Sequence, residues 1–431
     1  MVSVPIESLL RGSEGNTSES PGFSHGEDAT KRYPALTLRK ALGGEAAVSG
    51  MSDYSDVPVY EESLGTFVSL YAGAGGMDIG FSLAGFRPVW INELDPYASA
   101  THEVAFKQLG VSRPHIRERN WSVHTGSLLE LAEVELPAEG SADLVIGGPP
   151  CQGFSVAGRM DPNDGRSRHV FHFIEVVARV KPRAFVLENV KALYSNRRWA
   201  TIREGLVARA AAIGYETEFF LCNASHFGVP QARERMFFIG VRDATPRGPI
   251  PSTEDSPPTL RQALSQLPRF GDLGNDSLCR AKITLAKHPV MRRSPYAGML
   301  VNGAGRPMDP DSPAPTLPAS MGGNRTPIVD QLQLEDGADP WIVNYHQRLW
   351  DGGTTLKNAP RRLRRITVEE AAAIQTFPLG MQWQGPQSAQ YRQIGNAVPP
   401  RLALAVAEAI KSSLGLDPGL DPRCVHLPDP V

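Results

Sequence analysis

A cysteine held between two prolines and a glutamine, Pro149-Pro150-Cys151-Gln152, is where this 431-residue chain offers covalent chemistry. Only the thiolate of a cysteine attacks an electrophile. A cysteine is more often a small buried hydrophobe, but a strand interior has no use for Pro-Pro-Cys. The prolines stiffen the backbone and follow an apolar run, Asp143 to Ile146, that ends in Gly147-Gly148. That places Cys151 at the carboxyl edge of a sheet, where open α/β folds bind ligands. A second edge carries Glu188-Asn189-Val190. A carboxylate there serves as acid or base if desolvation raises its pKa; an exposed turn carboxylate is the plain alternative. A third group, Gln231-Ala232-Arg233-Glu234-Arg235, precedes the apolar run Met236 to Val241. Alternation puts Arg233 and Arg235 on one face, as it would in an ordinary edge-strand charge pair.

A different chemistry belongs to Tyr71-Ala72-Gly73-Ala74-Gly75-Gly76. Glycines let a ligand approach the backbone, and the helix that follows favours negative charge at its start. Glu93 ends the next strand, 18 residues after Gly75, where a carboxylate commonly holds ribose hydroxyls. The pair points to a nucleoside-containing cofactor.

These residues need a scaffold, and the apolar patterning supplies one. Short strands are expected at Phe67 to Tyr71, Val89 to Glu93, Asp143 to Ile146, Ala184 to Glu188, Phe219 to Cys222 and Met236 to Val241. Helices are expected at Met77 to Leu83, Phe171 to Val180 and Thr201 to Ile213. Such alternation predicts an α/β fold with a doubly wound, largely parallel sheet. From about 270 to 360 the chain is rich in Pro, Gly and Asn without helical periodicity, and reads as a smaller irregular domain. Helices return at Thr367 to Gln375, where Thr367 with Glu370 forms a capping box, and at Arg401 to Leu414. Residues 1–60 are polar and read as a disordered or loosely attached tail, with packing expected from near Leu64.

Composition narrows the class. Hydrophobic residues make up 41% and charged residues 21%, a globular balance. No apolar run is long enough to span a membrane. Four scattered cysteines give neither a metal site nor a disulfide framework, and the default compartment is the cytoplasm. The net charge is −2, yet Arg280 to Met308 holds six basic residues and no acidic one, and Arg361, Arg362, Arg364 and Arg365 crowd together. Clustered charge suits nucleic acid; a solvated face accounts for it equally well.

Taken in order, the motifs resemble those of the DNA (cytosine-5) methyltransferase family of bacterial restriction-modification type. The glycine loop is similar to its cofactor loop, Pro149 to Gln152 to its nucleophile motif, Glu188 to Val190 to its acid motif, and Gln231 to Arg235 to its arginine motif. Arg365 to Ala372 with Gln375-Thr376-Phe377-Pro378, and Gln393 to Pro399, resemble its last two motifs. The resemblance covers about 65–242 and 362–411.

It implies a Rossmann-like methyltransferase fold, with 61–269 and 376–415 catalytic, 270–375 a target-recognition domain and hinge, and 416–431 a terminal tail. S-adenosylmethionine would lie against Tyr71, Gly73, Gly75, Gly76, Glu93, Ser127, Pro149 and Asn396. Cys151 would add to carbon 6 of a cytosine flipped out of double-stranded DNA, Glu188 would protonate ring nitrogen 3, Arg235 would fix the base and Arg233 would support the site. Residues 156–169 resemble the family's mobile loop. Arg292, Arg306, Thr316 and Arg325 are the candidates for DNA contact, and the Arg361 to Arg365 run is expected to face the DNA backbone. The implied enzyme is a monomer that needs no metal, and a cognate restriction endonuclease on the same site stays open. The sequence departs from the family in having Tyr71 for Phe, Leu94 after the ribose-binding acid where an aromatic is usual, and Gly126-Ser127 for Gly-Asp. A transfer-RNA cytosine methyltransferase usually carries a Cys-Phe-Thr tripeptide, which is absent here. A non-catalytic DNA-binding regulator would have no need of Cys151, Glu188 and Arg235 together.

Overall fold

The computed structural model describes residues 53–117, 121–130, 136–150, 168–416 and 424–425. Seven strands form the central sheet: β1 (Gly65–Leu70), β2 (Phe86–Glu93), β3 (Ser122–Thr125), β4 (Leu144–Gly147), β5 (Ala184–Val190), β6 (Glu216–Asn223) and β7 (Glu234–Val241). Their order is β3-β2-β1-β4-β5-β7-β6. The first five are parallel, and β7 runs antiparallel to both β5 and β6. The largely parallel, doubly wound Rossmann-like sheet is thus present, with its strand order reversing between β1 and β4.

Both faces are covered, which is why these strands read as continuous apolar runs rather than alternating ones. Helices α1 (Gly76–Leu83), α2 (Pro96–Ser112), α3 (His169–Val180) and α4 (Ala200–Ala212) connect strands; α5 (Val368–Ile374), α6 (Gln387–Asn396) and α7 (Pro400–Ser413) come after the last strand of the sheet. Phe67, Ile146, Val186 and Phe237 pack under α1 and α7. Val68, Val145, Phe185 and Phe238, one position along each strand, pack under α3 and α4. Helices α1 and α7 meet backbone to backbone: a Cβ at Gly80 would lie 2.4 Å from the Ala403 Cβ and 2.6 Å from the Pro400 oxygen.

The sequence missed α2, whose apolar face is thin, although Asp95 followed by Pro96 is a helix start. The Asp95 carboxylate accepts from the backbone N–H of Tyr97 at 2.9 Å. Packing also begins earlier than Leu64. Tyr54, Val57 and Tyr60 are buried; Arg113 donates to the carbonyls of Tyr54, Val57 and Pro58, and Arg401 makes two 2.8 Å bonds to Asp56. Residues 270–360 are more regular than expected. They hold a helix, Trp341–Trp350, an antiparallel pair between Leu285–Val290 and Met299–Val301, and a small core of Leu285, Leu300, Val301, Ile328, Ile342 and Tyr345, which Leu363 joins from just beyond.

The capping box at α5 is formed as the sequence predicts. Thr367 Oγ1 accepts from the Glu370 N–H at 3.0 Å, and Glu370 Oε2 accepts from the Thr367 N–H at 3.0 Å. Thr367 Oγ1 also donates to Asn275 at 2.6 Å, fastening α5 to the neighbouring segment. Replacing Thr367→Ala should cost about 1–2 kcal/mol of stability in urea unfolding, and Thr367→Ser should recover most of it. An unchanged urea midpoint for the alanine variant would contradict this.

Candidate active site

A cleft of about 480 Å³ opens at the carboxyl ends of β1, β2, β4 and β5, around the point where the strand order reverses. Tyr71, Gly73, Gly76, Glu93, Ser127, Pro149, Glu188, Arg235 and Asn396 all line it. One end belongs to the glycine loop and Glu93, the other to Glu188 and Arg235.

At the first end, Tyr71 and Gly73 leave β1 with left-handed backbones, φ 57° and 58°. A Cβ on Gly73 would meet nothing within 4 Å, so that wall faces open cleft. The Gly73 N–H donates to Glu93 Oε2 at 2.7 Å and the Asp95 N–H to Oε1 at 2.8 Å. Burial lifts the Glu93 carboxyl above its ordinary pKa, against the pull of those two N–H groups. Each carboxylate oxygen keeps a lone pair for a hydroxyl. Asn92 steadies the next wall by donating to the His124 and Gly126 carbonyls, both at 3.0 Å, beside Ser127. Leu94 is 66% exposed at the cleft edge and offers no ring.

Gly75 is a correction, since it does not line the cleft. It takes φ 87° at the start of α1, and a Cβ there would lie 2.8 Å from the His102 ring. Its glycine lets α2 close against α1. Beneath it Asp78 accepts from Ser69 Oγ at 2.7 Å and pairs with His102 Nε2 at 2.7 Å, all three buried. Sequence reasoning missed this network and missed His169, which lines the cleft with its Nδ1 3.1 Å from the Tyr71 hydroxyl. Burial, with help from His172, pushes the His169 imidazole below its ordinary pKa. No motif marks either histidine.

At the second end, Arg235 Nε lies 2.8 Å from Glu188 Oε1, with the two side chains only 14% and 12% exposed. The antiparallel register of β5 and β7 makes this pair: Val190 stands opposite Arg235 and Glu188 opposite Phe237. Burial raises the Glu188 pKa above the ordinary carboxylate value, while the charges of Arg235 and then Arg233 pull it down. Asn189 turns the other way and donates to the Pro149 carbonyl at 3.1 Å, so the acid motif holds the loop that carries the cysteine. Pro150 lines the cleft. Cys151 itself, with 156–167 of the expected mobile loop, lies outside the described residues.

Arg233 does not share a cleft face with Arg235. It is buried and donates to the Leu317 carbonyl at 3.2 Å and the Gly395 carbonyl at 2.9 Å, which makes it a fastening rather than a lining residue. Thr316 is exposed, and its Oγ1 donates to the Ala232 carbonyl at 2.9 Å. Arg292 and Arg325 are exposed and Arg306 is half-buried, all three away from the cleft. The Arg361 to Arg365 run is a second correction. Arg362 pairs with Asp330, Arg364 forks onto Glu370 over the Phe270 ring, and Arg365 is buried on the Ala281 carbonyl. Only Arg361 of these four is exposed.

A sequence profile of C-5 cytosine-specific DNA methylases matches residues 65–412. The chain belongs to that family. Type II methyltransferase M1.HphI of Haemophilus parahaemolyticus is 31% identical over 80% of this chain and 86% of its own length. M.XorII of Xanthomonas oryzae is 30% identical over 81% and 85%. Among solved structures, a putative DNA modification methyltransferase encoded within an E. coli prophage superposes with a TM-score of 0.54 at 22% identity, over 81% of this chain and 99% of that one. A methyltransferase of Entamoeba histolytica gives a TM-score of 0.56 at 14% identity, over 82% and 99%. These two share the fold. The DNA methylase family membership makes the chain an enzyme that methylates carbon 5 of cytosine in DNA.

The pH behaviour of Glu188 follows from its surroundings. Its folded pKa lies above the unfolded value, so the stability it lends is complete below the ordinary carboxylate range and is lost as pH rises through the raised value. Carboxyl-carbon NMR should show Glu188 titrating above 4.5, and in Arg235→Gln it should move higher still, because desolvation stays while the main opposing charge is gone. A downward move would refute the assignment.

Proposed function

We propose that this DNA methylase takes its methyl group from S-adenosylmethionine and acts on one cytosine within a specific double-stranded DNA sequence, through a covalent bond to Cys151. The observation that carries this reading is the single cleft joining the Glu93–Gly73 end to the Glu188–Arg235 pair. A nucleoside placed against Glu93 and a base placed against Glu188 would face each other across it.

The residues fit the cofactor. Glu93 has acceptors for ribose hydroxyls, Gly73 leaves room for the nucleoside, and Ser127, Pro149 and Asn396 complete the walls. When bound, S-adenosylmethionine supplies an electrophilic methyl group. The remaining work falls to the chain. Carbon 5 of cytosine is a poor nucleophile. The Cys151 thiolate adds to carbon 6, and the electron pair moves toward ring nitrogen 3. Glu188, whose pKa burial raises, delivers a proton there. Arg235 holds the base by its carbonyl oxygen while balancing the Glu188 charge. After methyl transfer the nitrogen 3 proton returns to Glu188, and loss of the carbon 5 proton to water expels the thiolate and restores the ring. The base reaches the cleft only by leaving the duplex.

Residues 270–375 serve as target-recognition domain and hinge, with Arg292, Arg306, Thr316 and Arg325 toward DNA, and 61–269 with 376–415 as the catalytic domain. The enzyme works as a monomer in the cytoplasm, of the restriction-modification type, with a cognate endonuclease on the same site left open. Among the described residues no helix is long and apolar enough to cross a membrane.

Base-resolution mapping of 5-methylcytosine in DNA from cells expressing the chain should return one short methylated motif, absent with Cys151→Ala. Glu188→Gln should slow turnover by about 10²–10⁴-fold while leaving S-adenosylmethionine affinity nearly unchanged. Full methylation by the Cys151 variant would overturn the covalent mechanism.

A further inference from the structure

The motif that carries Glu188 runs straight into a basic turn that the catalytic reading leaves unused. From Asn189 to Arg203 the chain holds Lys191, Arg197, Arg198 and Arg203 and no acidic residue. Val190 stands opposite Arg235 in the β5–β7 register and lines the cleft. The turn therefore starts one residue beyond the catalytic pair. Lys191 begins it, 48% exposed and bonded to both oxygens of Glu234 at 2.8 and 2.9 Å. A short helix, Lys191–Ser195, then leads to Arg197 and Arg198, both exposed, with Tyr194 exposed beside them.

The turn is built rather than loose. Leu193 and Trp199 anchor it in the core. The Asn196 side chain accepts from the Arg198 N–H at 3.0 Å. Arg203 spends its own guanidinium inward, on the Leu193 carbonyl at 2.8 Å and the Asn196 carbonyl at 3.0 Å. One arginine is thus used to hold the backbone from which two others project.

Geometry gives those two a task. A base that enters the cleft stays attached to its strand, so its flanking phosphates arrive at the cleft mouth. The wall beside Glu188 must meet that charge. We propose that Arg197 and Arg198 form a phosphate-gripping ledge on the catalytic side of the cleft, binding the DNA backbone next to the extruded cytosine irrespective of sequence. The inference rests on duplex DNA being the substrate. Phosphate contacts fix register without reading bases, which suits residues that follow the acid motif rather than residues of the recognition segment.

The test uses the full chain and a fluorescent duplex of arbitrary sequence, titrated from 50 to 200 mM salt. Two lost phosphate contacts should flatten the slope of log affinity against log salt by about 1.8, so that over this range affinity falls roughly twelvefold less than in the wild type. The Arg197→Gln/Arg198→Gln variant should show that flattening, bind the duplex more weakly at 50 mM, and retain its S-adenosylmethionine affinity and melting temperature. A control, Lys181→Gln/Arg183→Gln, removes two exposed cations ahead of the amino end of β5, at the edge away from the cleft, and should match the wild type. An unchanged slope in the arginine variant would overturn the ledge, as would an equal change in the control. A wild-type chain that fails to bind the duplex at all would sink the DNA reading along with it.

Discussion

One buried guanidinium sets the terms for the rest of the molecule. Arg233 is 1% exposed, and a charge taken out of water must be compensated. Carbonyl oxygens do this here, and they come from two distant parts of the chain, Leu317 and Gly395. Around it Gln231 accepts from the Leu317 N–H and donates to Gln375, which in turn donates to the Ile394 carbonyl. Gly395 can have no side chain, since a Cβ would lie 2.6 Å from the Pro318 oxygen. The strand bearing Arg235, the segment around Thr316 and the wall around Asn396 are thereby fixed to one another. Moving any of them leaves a buried charge or carbonyl without its partner.

With that frame in place, the two carboxylates of the cleft differ by environment rather than by type. Burial raises the pKa of both Glu93 and Glu188. Glu93 is met by two backbone N–H groups, which favour a charged acceptor for hydroxyls. Glu188 is met by guanidinium charge on a strand that runs antiparallel to its own. A parallel neighbour would have brought β7 to the same edge with its other end, and Arg235 would lie far from the carboxylate.

The chemistry was more legible in the sequence than its supports. Glu93, Glu188 and Arg235 sit at strand ends, where the strand–glycine–acid pattern marks an edge and few other roles need those residue types. Of the nine cleft-lining residues named from the sequence, Ser127 and Asn396 came only through the family resemblance. Gly75 was misread because a glycine needed for a positive φ and a close helix looks, in one dimension, like a glycine needed for a ligand. Arg362, Arg364 and Arg365 were misread because an arginine's partners are set by tertiary packing; for Arg233 it was the holding partners that stayed hidden, since backbone carbonyls 84 and 162 residues away leave no local trace. Helix α2 was missed because much of its buried face is small or polar, with Ala98, Ser99, Thr101, His102 and Ala105 on it, and its signal was a cap rather than a stripe. The order within 270–360 was hidden by strands of three to six residues, too short for periodicity to register.

The cleft is also assembled from the two far parts of the chain. Its floor is the glycine loop near residue 73, and its opposite wall is Arg392 to Val398, carried by helices that pack directly on α1. During synthesis the glycine loop, the acid motif and the arginine motif all leave the ribosome before that wall exists. Until α6 emerges Arg233 lacks the Gly395 carbonyl, and until α7 follows α1 has an uncovered apolar face. Contacts of such long sequence separation are slow to form. A growing chain that has not yet reached Val398 consequently lacks one wall of the cleft, and the site is complete only once α6 and α7 have been made.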